Sequence, residues 1–319
     1  MPHDSSPSNS ELPYRLSFYI PLSEQRIMWI LDILRREHVR EMLDVGCGEG
    51  ALLQPLCNPS PWLLDPHTPS GDPLPALLNH WDFAHMKHLH GLDVCLPDLD
   101  AAIKTIAPRS PVHPLNQPRW ENLECKMWYG GLQTPNAAFE GIDCIVATEV
   151  VEHLPPDILP YFAPVLLGCY HPRLFLITTP SYTFNQLFHP PNSTDPWGFP
   201  DPTLRTERVF RHHDHKFEWT PEECTQWCVT EAERWGYEVV VSGVGRSRHP
   251  DPWGREAATG FASQVACFRR KEGEDWTTKR AERWEDISRR MHCRENRDPM
   301  TRLQFRWRGL CATVDSTRC

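Results

Sequence analysis

Residues 40 to 53, "REMLDVGCGEGALL", decide the fold class of this chain. Met42 to Val45 form a short apolar run, which is typical of a buried strand. A turn with three glycines follows, and the apolar residues after it favour the start of a helix. A strand, a glycine-rich loop and a helix in this order predict the first unit of an α/β fold with a doubly wound parallel sheet.

The glycine-rich loop also predicts a ligand site, because Asp44, Gly46, Gly48 and Gly50 form a D-x-G-x-G-x-G pattern. Glycine lets the backbone turn sharply and approach a ligand closely, since no Cβ is in the way. A dinucleotide fingerprint needs G-x-G-x-x-G, so a nicotinamide cofactor is disfavoured. The loop resembles the first motif of class I S-adenosylmethionine (SAM)-dependent methyltransferases. In that class an acid at the end of the second strand binds the cofactor ribose, and Asp93 stands at the matching place.

Strand and helix patterns alternate over most of the remaining sequence, which predicts a mostly parallel sheet with ligand sites beyond the carboxyl ends of its strands. A helix opens the domain, at residues 21–38. Further strands are predicted within 88–95, 122–131, 142–150, 173–181, 237–245 and 262–271, and further helices within 98–108, 159–170 and 220–236. Pro-rich stretches near 57–80 and 186–207 predict loop insertions.

Composition limits the class of protein. A length of 319 residues fits one large domain, and a net charge of −9 argues against binding nucleic acid through bulk positive charge. The 12 cysteines show no zinc-knuckle spacing. No signal peptide or membrane span is predicted, so we expect an intracellular protein of the cytoplasm, the nucleus or both, with reduced thiols. We expect a disordered N-terminus at 1–18, one catalytic domain at 19–270, and a charged, partly helical tail at 271–319.

A cluster of ionisable residues follows the fourth predicted strand, in "ATEVVEHLPPD" at residues 147–157. Glu149, Glu152 and His153 are spaced i, i+3 and i+4, so on a first helical turn they would point to one side. Two carboxylates and an imidazole suit Mg²⁺ or Mn²⁺. The same pattern also occurs without a metal, where acids at a helix start are favoured by the helix dipole. The motif alone leaves both interpretations open.

A second polar run supplies a further ligand, in "FRHHDHKFEWTPEEC" at residues 210–224. Thr220, Pro221 and Glu223 predict a capping box at the start of the next helix. This ordinary explanation does not account for the four consecutive titratable residues from His212 to His215.

The two polar segments together resemble the small-RNA 2′-O-methyltransferases of the HUA-enhancer type, through E-V-V-E-H-L and R-H-x-D-H-K-F-E-W-T. Similar stretches are "PLSEQR", "LDVGCGEG", "GLDV" and "TTPSYTFN", and the resemblance covers Tyr19 to Arg270. It implies a class I, Rossmann-like methyltransferase fold with helices on both faces of the sheet. The resemblance assigns Glu149, Glu152, His153 and His215 as ligands of Mg²⁺ or Mn²⁺, and Asp44, Gly46, Gly48, Asp93, Tyr129 and Gly130 as contacts of S-adenosylmethionine. The family has an acid-Gly-Ser turn after the third strand, where this chain has "WYGG".

The resemblance further implies methyl transfer to the 2′-hydroxyl of the 3′-terminal nucleotide of small RNAs, which protects their ends in RNA silencing. A cation bound to both ribose hydroxyls would acidify the 2′-hydroxyl, and His153 or His215 would act as the catalytic base. We expect a monomer that acts on single-stranded 3′ ends, with duplexes as a second substrate and an Argonaute or Piwi-type protein as partner.

Two other functions stay open at the level of sequence. The chain could be a metal-independent methyltransferase of small hydroxylated molecules, or a degenerate methyltransferase that serves as an RNA-binding subunit. For the RNA itself, cationic side chains are the expected phosphate contacts, although surface arginines also simply cover a core. These residues are Arg26, Arg205, Arg208, Arg211, Lys216 and the tail segment "RLQFRWRG".

Overall fold

The computed structural model describes residues 16–58, 86–108, 122–191, 193, 197–291 and 301–307. Six α-helices lie within these ranges: α1 (Leu22–Arg36), α2 (Leu53–Cys57), α3 (Leu96–Ile106), α4 (Pro221–Trp235), α5 (Glu256–Thr259) and α6 (Glu274–Met291). Ten strands are described: β1 (Glu41–Val45), β2 (His88–Asp93), β3 (Leu123–Tyr129), β4 (Cys144–Thr148), β5 (Leu174–Pro180), β6 (Phe199–Pro200), β7 (Val209–Phe210), β8 (Tyr237–Val244), β9 (Ser263–Arg270) and β10 (Thr301–Trp307). None of the helices in this part of the chain is long and apolar enough to cross a bilayer.

The main sheet has eight strands in the order β10-β3-β2-β1-β4-β5-β9-β8. The five strands from β3 to β5 pair in parallel, and β9, β8 and β10 pair antiparallel to their neighbours. The predicted α/β fold with a mostly parallel sheet is therefore confirmed. The strand order reverses between β1 and β4, and such a point in an open parallel sheet is where ligands bind.

Apolar layers cover both faces of the sheet. Leu43 and Ile145 contribute to one cluster, and their neighbours Met42 and Cys144 to the other, because side chains alternate between the faces along a strand. Helices α1, α2 and α3 supply the second cluster, whereas α4, α6 and residues 162–170 supply the first. Strands buried on both faces explain the continuous apolar runs in the sequence.

The segment predicted as a helix at 159–170 is helical but not a regular α-helix. It forms a 3₁₀ turn at Leu159–Tyr161 and a π-helical stretch at Pro164–Cys169. The backbone N–H of Tyr170 donates to Val165 O at 2.9 Å, an i to i+5 bond. Pro164 at the first position lacks an N–H donor, and the Trp235 ring packs so close to Gly168 that a Cβ there would collide.

The boundaries of the domain differ from the sequence-based expectation at both ends. Residues 1–15 and most of 57–80 lie outside the described residues, but Leu16 and Phe18, expected to be disordered, pack on an apolar cluster with Phe184. The tail does contain the predicted helix, as α6, but it also adds β10 to the edge of the sheet beside β3. Strand β10 pairs with a sheet edge that is distant in the sequence, so local charge patterns do not predict this pairing.

The predicted insertion near 186–207 contains ordered structure in its described residues. A 3₁₀ segment covers Thr183–Phe188, and β6 and β7 form a small hairpin. Asp201 stabilises the hairpin. Its two carboxylate oxygens accept hydrogen bonds from the backbone N–H and hydroxyl groups of Thr203 and Thr206, at 2.6 to 3.0 Å. The hairpin leads directly into the polar run at 211–215.

Candidate active site

The glycine loop after β1 is held against the end of β2. The backbone N–H of Gly46 donates to Leu92 O at 2.8 Å, and that of Gly48 donates to Asp93 Oδ2 at 2.8 Å. Both glycines have positive φ, +69° and +49°. A Cβ on Gly46 would also lie 2.6 Å from Val150 Cγ2, so this position requires glycine for conformation and for space.

Two predicted cofactor acids lie at this loop in different settings. Asp93 borders the cavity, and its second oxygen, Oδ1, accepts from the Cys95 N–H at 2.9 Å. Asp44 is buried at 2% exposure, and burial, together with the charge of Asp93, raises the pKa of Asp44 to about 8. Asp93 is therefore placed to meet a ligand, whereas Asp44 is shielded from the cavity by burial.

A short turn carries the acidic cluster at the end of β4. Only Val151–His153 form a 3₁₀ turn, and Glu149 precedes it with a φ of +54°. The expected helical turn with Glu149, Glu152 and His153 on one side is therefore wrong. Pro155 explains the short turn, because the residue before a proline is driven out of the helical region, and Leu154 is extended at ψ 125°.

Glu152 is fully buried at the sheet edge. Its Oε2 accepts a hydrogen bond from the Thr179 hydroxyl at 3.0 Å, while Oε1 is buried without a hydrogen-bond partner among the described residues. Burial, and next the charge of Glu149, raise the pKa of Glu152 well above its ordinary value. An unpaired carboxylate oxygen in such a place is costly unless a proton or a cation satisfies it.

Two imidazoles face this carboxylate. The rings of His153 and His215 lie 4.8 Å apart in an edge-to-face arrangement. Ligand atoms of Glu152, His153 and His215 all lie within 4.8 Å of one another. Burial, and next the proximity of His215 and His212, lower the pKa of His153 to about 4. His153 is consequently neutral at physiological pH, as a metal ligand or a proton acceptor must be.

Glu218 orients His215 from behind. The Nδ1–H of His215 donates to Glu218 Oε1 at 2.6 Å, which leaves Nε2 of His215 to accept or to ligate. Glu218 also accepts from the Arg211 backbone N–H at 2.8 Å and from Asn185 Nδ2 at 2.5 Å. Burial opposes its ionisation, but the bond from His215 and the charge of Arg211 hold the pKa of Glu218 below its ordinary value.

A backbone bond fixes the position of this segment relative to the acidic turn. The N–H of Lys216 donates to the carbonyl oxygen of Glu152 at 2.7 Å. The polar run and the turn after β4, distant in the sequence, are thereby held side by side. The sequence motifs predict no role for Glu218 or Thr179, because the partners of these residues are known only from the fold.

Glu149, the remaining predicted ligand, turns toward different partners. Its Oε1 accepts from the Thr178 hydroxyl at 2.9 Å, and its Oε2 lies 3.2 Å from Nη1 of Arg26. The structure thus brings three of the four predicted ligands together. The assignment of Glu149 as a metal ligand stays a prediction.

One cavity joins the glycine loop to the ionisable cluster. It has a volume of about 860 Å³, and its lining includes Gly46, Gly48, Asp93, Gly130, Glu149 and His153. Asp44 and Tyr129 do not belong to the described lining, so their cofactor contacts stay predictions. The cavity also has an apolar and amide wall that the sequence motifs did not predict, and this wall includes Leu92, Val94, Leu132, Gln133, Val150, Leu154 and Ile158.

The cationic side chains that were expected to contact RNA differ in whether they are already bound to other protein groups. Arg211 is committed to the protein, since its guanidinium donates to Asn185 Oδ1 at 2.9 Å and to the carbonyl oxygens of Ser181 and Ala262. Arg208 is likewise engaged, in a bidentate pair with Glu223 at 2.7 and 2.8 Å. A role for these two arginines in RNA binding is therefore disfavoured, whereas Lys216 borders the cavity.

This fold and site define the class of the protein. A glycine loop after β1, an acid at the end of β2 and a shared cavity at the carboxyl edge of a mostly parallel sheet are the class I SAM-dependent methyltransferase fold. A crystal structure of the small RNA methyltransferase HEN1 is similar to the chain, with a TM-score of 0.58 and 28% identity over 83% of this chain and 27% of that one. The methyltransferase domain of a bacterial Hen1 has the same fold, with a TM-score of 0.54 and 23% identity over 79% of this chain and 100% of that one.

Curated relatives narrow the class. Small RNA 2′-O-methyltransferase of Arabidopsis thaliana is 30% identical over 80% of this chain and 23% of the relative. The protein of the same name in Xenopus tropicalis is 30% identical over 87% of this chain and 60% of the relative. No protein-family model matches. The chain is thus related to the small RNA 2′-O-methyltransferases, which confirms the resemblance, and it spans about a quarter to three fifths of the length of these two relatives.

Proposed function

We propose that the chain transfers a methyl group from S-adenosylmethionine to the 2′-hydroxyl of the 3′-terminal nucleotide of small RNAs, in a metal-dependent reaction. One observation carries this proposal. The buried carboxylate of Glu152 has an unpartnered oxygen among the described residues, next to two imidazoles, and one of these, His153, borders the cavity that begins at the glycine loop. The names of the curated relatives support RNA as the substrate class.

The residues of the cluster fit a divalent cation. Glu152 Oε1, the neutral His153 and the oriented Nε2 of His215 offer one carboxylate and two nitrogen donors, and Glu149 lies nearby with Arg26 as its present partner. This donor set suits Mn²⁺ and also accommodates Mg²⁺ with water ligands. A cation bound there supplies Lewis-acid polarisation of the ribose 2′- and 3′-hydroxyls.

Residues of the protein itself bind the cofactor, accept the proton and hold the cation. Gly46 and Gly48 leave room for the methyl donor, and Asp93 offers acceptor oxygens to its ribose. A neutral imidazole has one lone pair, so His153 can ligate the cation or accept a proton, but not both. His153 borders the cavity, so its lone-pair nitrogen is the better placed to accept the proton of the 2′-hydroxyl, and Glu152 and His215 would then hold the cation. His215 is buried and fixed by Glu218, which suits a purely ligating role.

The substrate follows from the chemistry of the diol. A 3′-terminal nucleotide is the one in which the 2′- and 3′-hydroxyls are both free, so a site that holds both oxygens selects chain ends. Single-stranded ends of small RNAs are the proposed substrate, with duplexes as a second form. In this proposal the chain acts as a monomer inside the cell, in the cytoplasm, the nucleus or both, with an Argonaute or Piwi-type protein presenting the RNA for silencing.

Labelled-methyl transfer to RNAs of about 20 nucleotides tests the proposal, because metal-assisted activation requires the free diol and the cation. Wild-type protein should methylate a 2′,3′-diol end in Mn²⁺ or Mg²⁺, and should not methylate a 3′-phosphate or a 2′-deoxy end. Chelation by EDTA should abolish transfer. Equal transfer to 3′-phosphorylated RNA would rule out the diol mechanism, and activity that survives EDTA would favour a metal-independent small-molecule methyltransferase.

A pair of variants separates the metal site from the fold. Glu152→Gln keeps the volume but removes the charged ligand, so we expect transfer to fall by about a hundredfold or more while cofactor affinity changes by less than about twofold. Glu140→Gln, at an exposed position, is the matched control and should behave as wild type. A collapse of cofactor binding in Glu152→Gln would instead make Glu152 a structural residue.

A further inference from the structure

A second polar surface lies on the same edge of the sheet as the active site. Strand β5 ends there at Pro180, and because β9 and β8 run antiparallel, the start of β9 and the end of β8 lie at this edge too. The loop between β8 and β9, residues 245–262, is therefore beside the carboxyl edge. Arg211 connects this loop to the active-site segment, since its Nη1 donates to Ala262 O at 2.9 Å.

The N-terminal segment completes this surface. The backbone N–H of Arg248 donates to Ser17 O at 2.8 Å, and Phe18 stacks on Phe184 with ring centroids 6.0 Å apart. Arg26 of the following helix reaches both Ser263 Oγ, at 3.1 Å, and Glu149 in the active site. Residues 16–20 and the 245–262 loop thus form one continuous rim that begins at the proposed catalytic cluster.

Four exposed side chains of this rim form a basic and aromatic surface: Tyr19, Arg246, Arg248 and His249, hereafter the rim patch. Arg246 and Arg248 have no ion pair with any described residue. Their guanidinium carbons lie over aromatic rings instead, at 4.2 Å from the centroid of Phe261 and 5.7 Å from that of Tyr19. Tyr19 is 74% exposed.

The rim patch borders a small cavity of about 270 Å³, lined by Arg246, Arg248 and His249 together with one acid, Glu256. Glu256 is already used, because its Oε1 accepts a hydrogen bond from the backbone N–H of Asp251. This volume lies just below the range of about 300–1,000 Å³ that is typical of sites for drug-sized ligands. A phosphate group fits such a space better than a whole nucleotide.

The charge of the patch contrasts with that of the chain. The protein carries a net charge of −9, yet Arg246 and Arg248 face solvent without a carboxylate partner in the described residues. Arginine presents a planar fork of donors that matches phosphate oxygens, and an exposed aromatic ring offers a surface on which a base can stack. Cations with an interleaved aromatic side chain are typical of surfaces that bind single-stranded nucleic acid.

We propose that the rim patch binds the single-stranded RNA on the 5′ side of the nucleotide in the active site. Arg246 and Arg248 contact backbone phosphates, and Tyr19 stacks on a base. This inference rests on the proposed function, since it requires RNA as the substrate. Phosphate and stacking contacts do not distinguish the bases or detect the 2′-hydroxyl, so the patch should bind RNA regardless of sequence.

Fluorescence anisotropy with the full chain and a 5′-labelled single strand of about 20 nucleotides tests the patch directly. Arg246→Gln combined with Arg248→Gln should weaken binding about tenfold. Losing two phosphate contacts should also reduce the slope of log affinity against log salt by about 1.4, which is 0.7 for each phosphate of a single strand. The same losses are expected with DNA of the same sequence.

A matched control removes two charges elsewhere. Arg283→Gln with Arg289→Gln changes exposed positions of α6, which packs on Pro164–Cys169, and should leave affinity within about twofold of wild type. In methyl transfer, the rim variant should raise KM for the RNA without changing kcat, because the patch contacts the RNA away from the reacting nucleotide.

Substitutions of Tyr19 test the stacking contact independently of the arginines. Tyr19→Ala should weaken binding about fivefold or more through the loss of stacking, whereas Tyr19→Phe should retain wild-type affinity. The rim proposal is overturned if the arginine pair changes affinity and salt slope no more than the α6 pair does. Methyl transfer is scored separately: a wild-type protein that binds RNA through the patch but methylates no RNA would overturn the proposed function alone.

Discussion

His153 lies between the cavity and two other imidazoles, so its protonation is controlled by its surroundings. Burial removes water from the ring, and the neighbouring His215 and His212 disfavour a further positive charge. In the metal-free protein, NMR titration should therefore place the midpoint of His153 near pH 4, well below the value of about 6.5 for a free histidine. His215→Ala should raise this midpoint.

The sign of the associated stability effect follows. Because the pKa of folded His153 is lower than the unfolded value, its neutral form contributes stability above about pH 6.5 that is lost as the pH falls toward about 4. Urea unfolding in chelator across this window should show a pH slope that becomes smaller in His153→Gln. A His153 midpoint close to that of a free histidine would contradict the burial argument.

Glu218 acts at the residue scale through His215 rather than by contact with the substrate. Glu218→Gln keeps the size of the side chain but removes the carboxylate that accepts the Nδ1–H of His215, so Mn²⁺ affinity should fall about 10- to 100-fold. Calorimetric titration of Mn²⁺ and of cofactor measures the two separately, and cofactor affinity should stay near wild type. Glu222→Gln, exposed on α4, is the control, and equal Mn²⁺ affinities in the two variants would contradict a positioning role.

At the scale of the element, the loop after β1 requires glycine at position 46. The backbone conformation there would strain other residues, and the surroundings leave no room for a Cβ. Gly46→Ala should lower the free energy of unfolding by about 2 kcal/mol or more, because a positive φ and a collision with Val150 act together. Cofactor affinity should fall as well. Urea unfolding and cofactor titration provide the measurements.

Gly141 offers a matched control for that change. It has a similar φ of +73°, but a Cβ there would meet nothing within 4 Å. Gly141→Ala should therefore cost only the conformational part, about 1 kcal/mol, and should leave cofactor affinity unchanged. Equal effects of the two substitutions would show that the collision with Val150 is unimportant.

At the scale of the whole molecule, the proposed cation site links elements that are far apart in the chain, so a bound cation should stabilise the fold. Mn²⁺ at about 100 times its dissociation constant should raise the free energy of unfolding by about 2.7 kcal/mol. Chemical unfolding with Mn²⁺ and with EDTA measures the difference, and Glu140→Gln should match wild type. Glu152→Gln should lose most of the effect, and an undiminished shift in that variant would place the cation elsewhere.

The features that depend on local sequence patterns were predicted correctly. The strand and loop at 40–53, the acid at the end of β2, and the capping box of α4 all depend on residues within a few positions of one another, and all are present. The π-helical stretch at Pro164–Cys169 and the edge strand β10 were missed. Their geometry depends on the Trp235 ring and on the free edge of β3, which are distant in sequence.

The α/β class, the glycine loop and the identity of the ionisable residues could be predicted from the sequence, since these follow from local spacing and residue type. The folded structure was needed to show that His215 lies beside Glu152 and His153 while Glu149 pairs with Arg26. The same structure shows that Arg211 is a structural side chain, whereas Arg246 and Arg248 are exposed. The physical reason is that long-range contacts and burial, which set hydrogen-bond partners and pKa values, arise from the order of strands in the sheet rather than from neighbours along the chain.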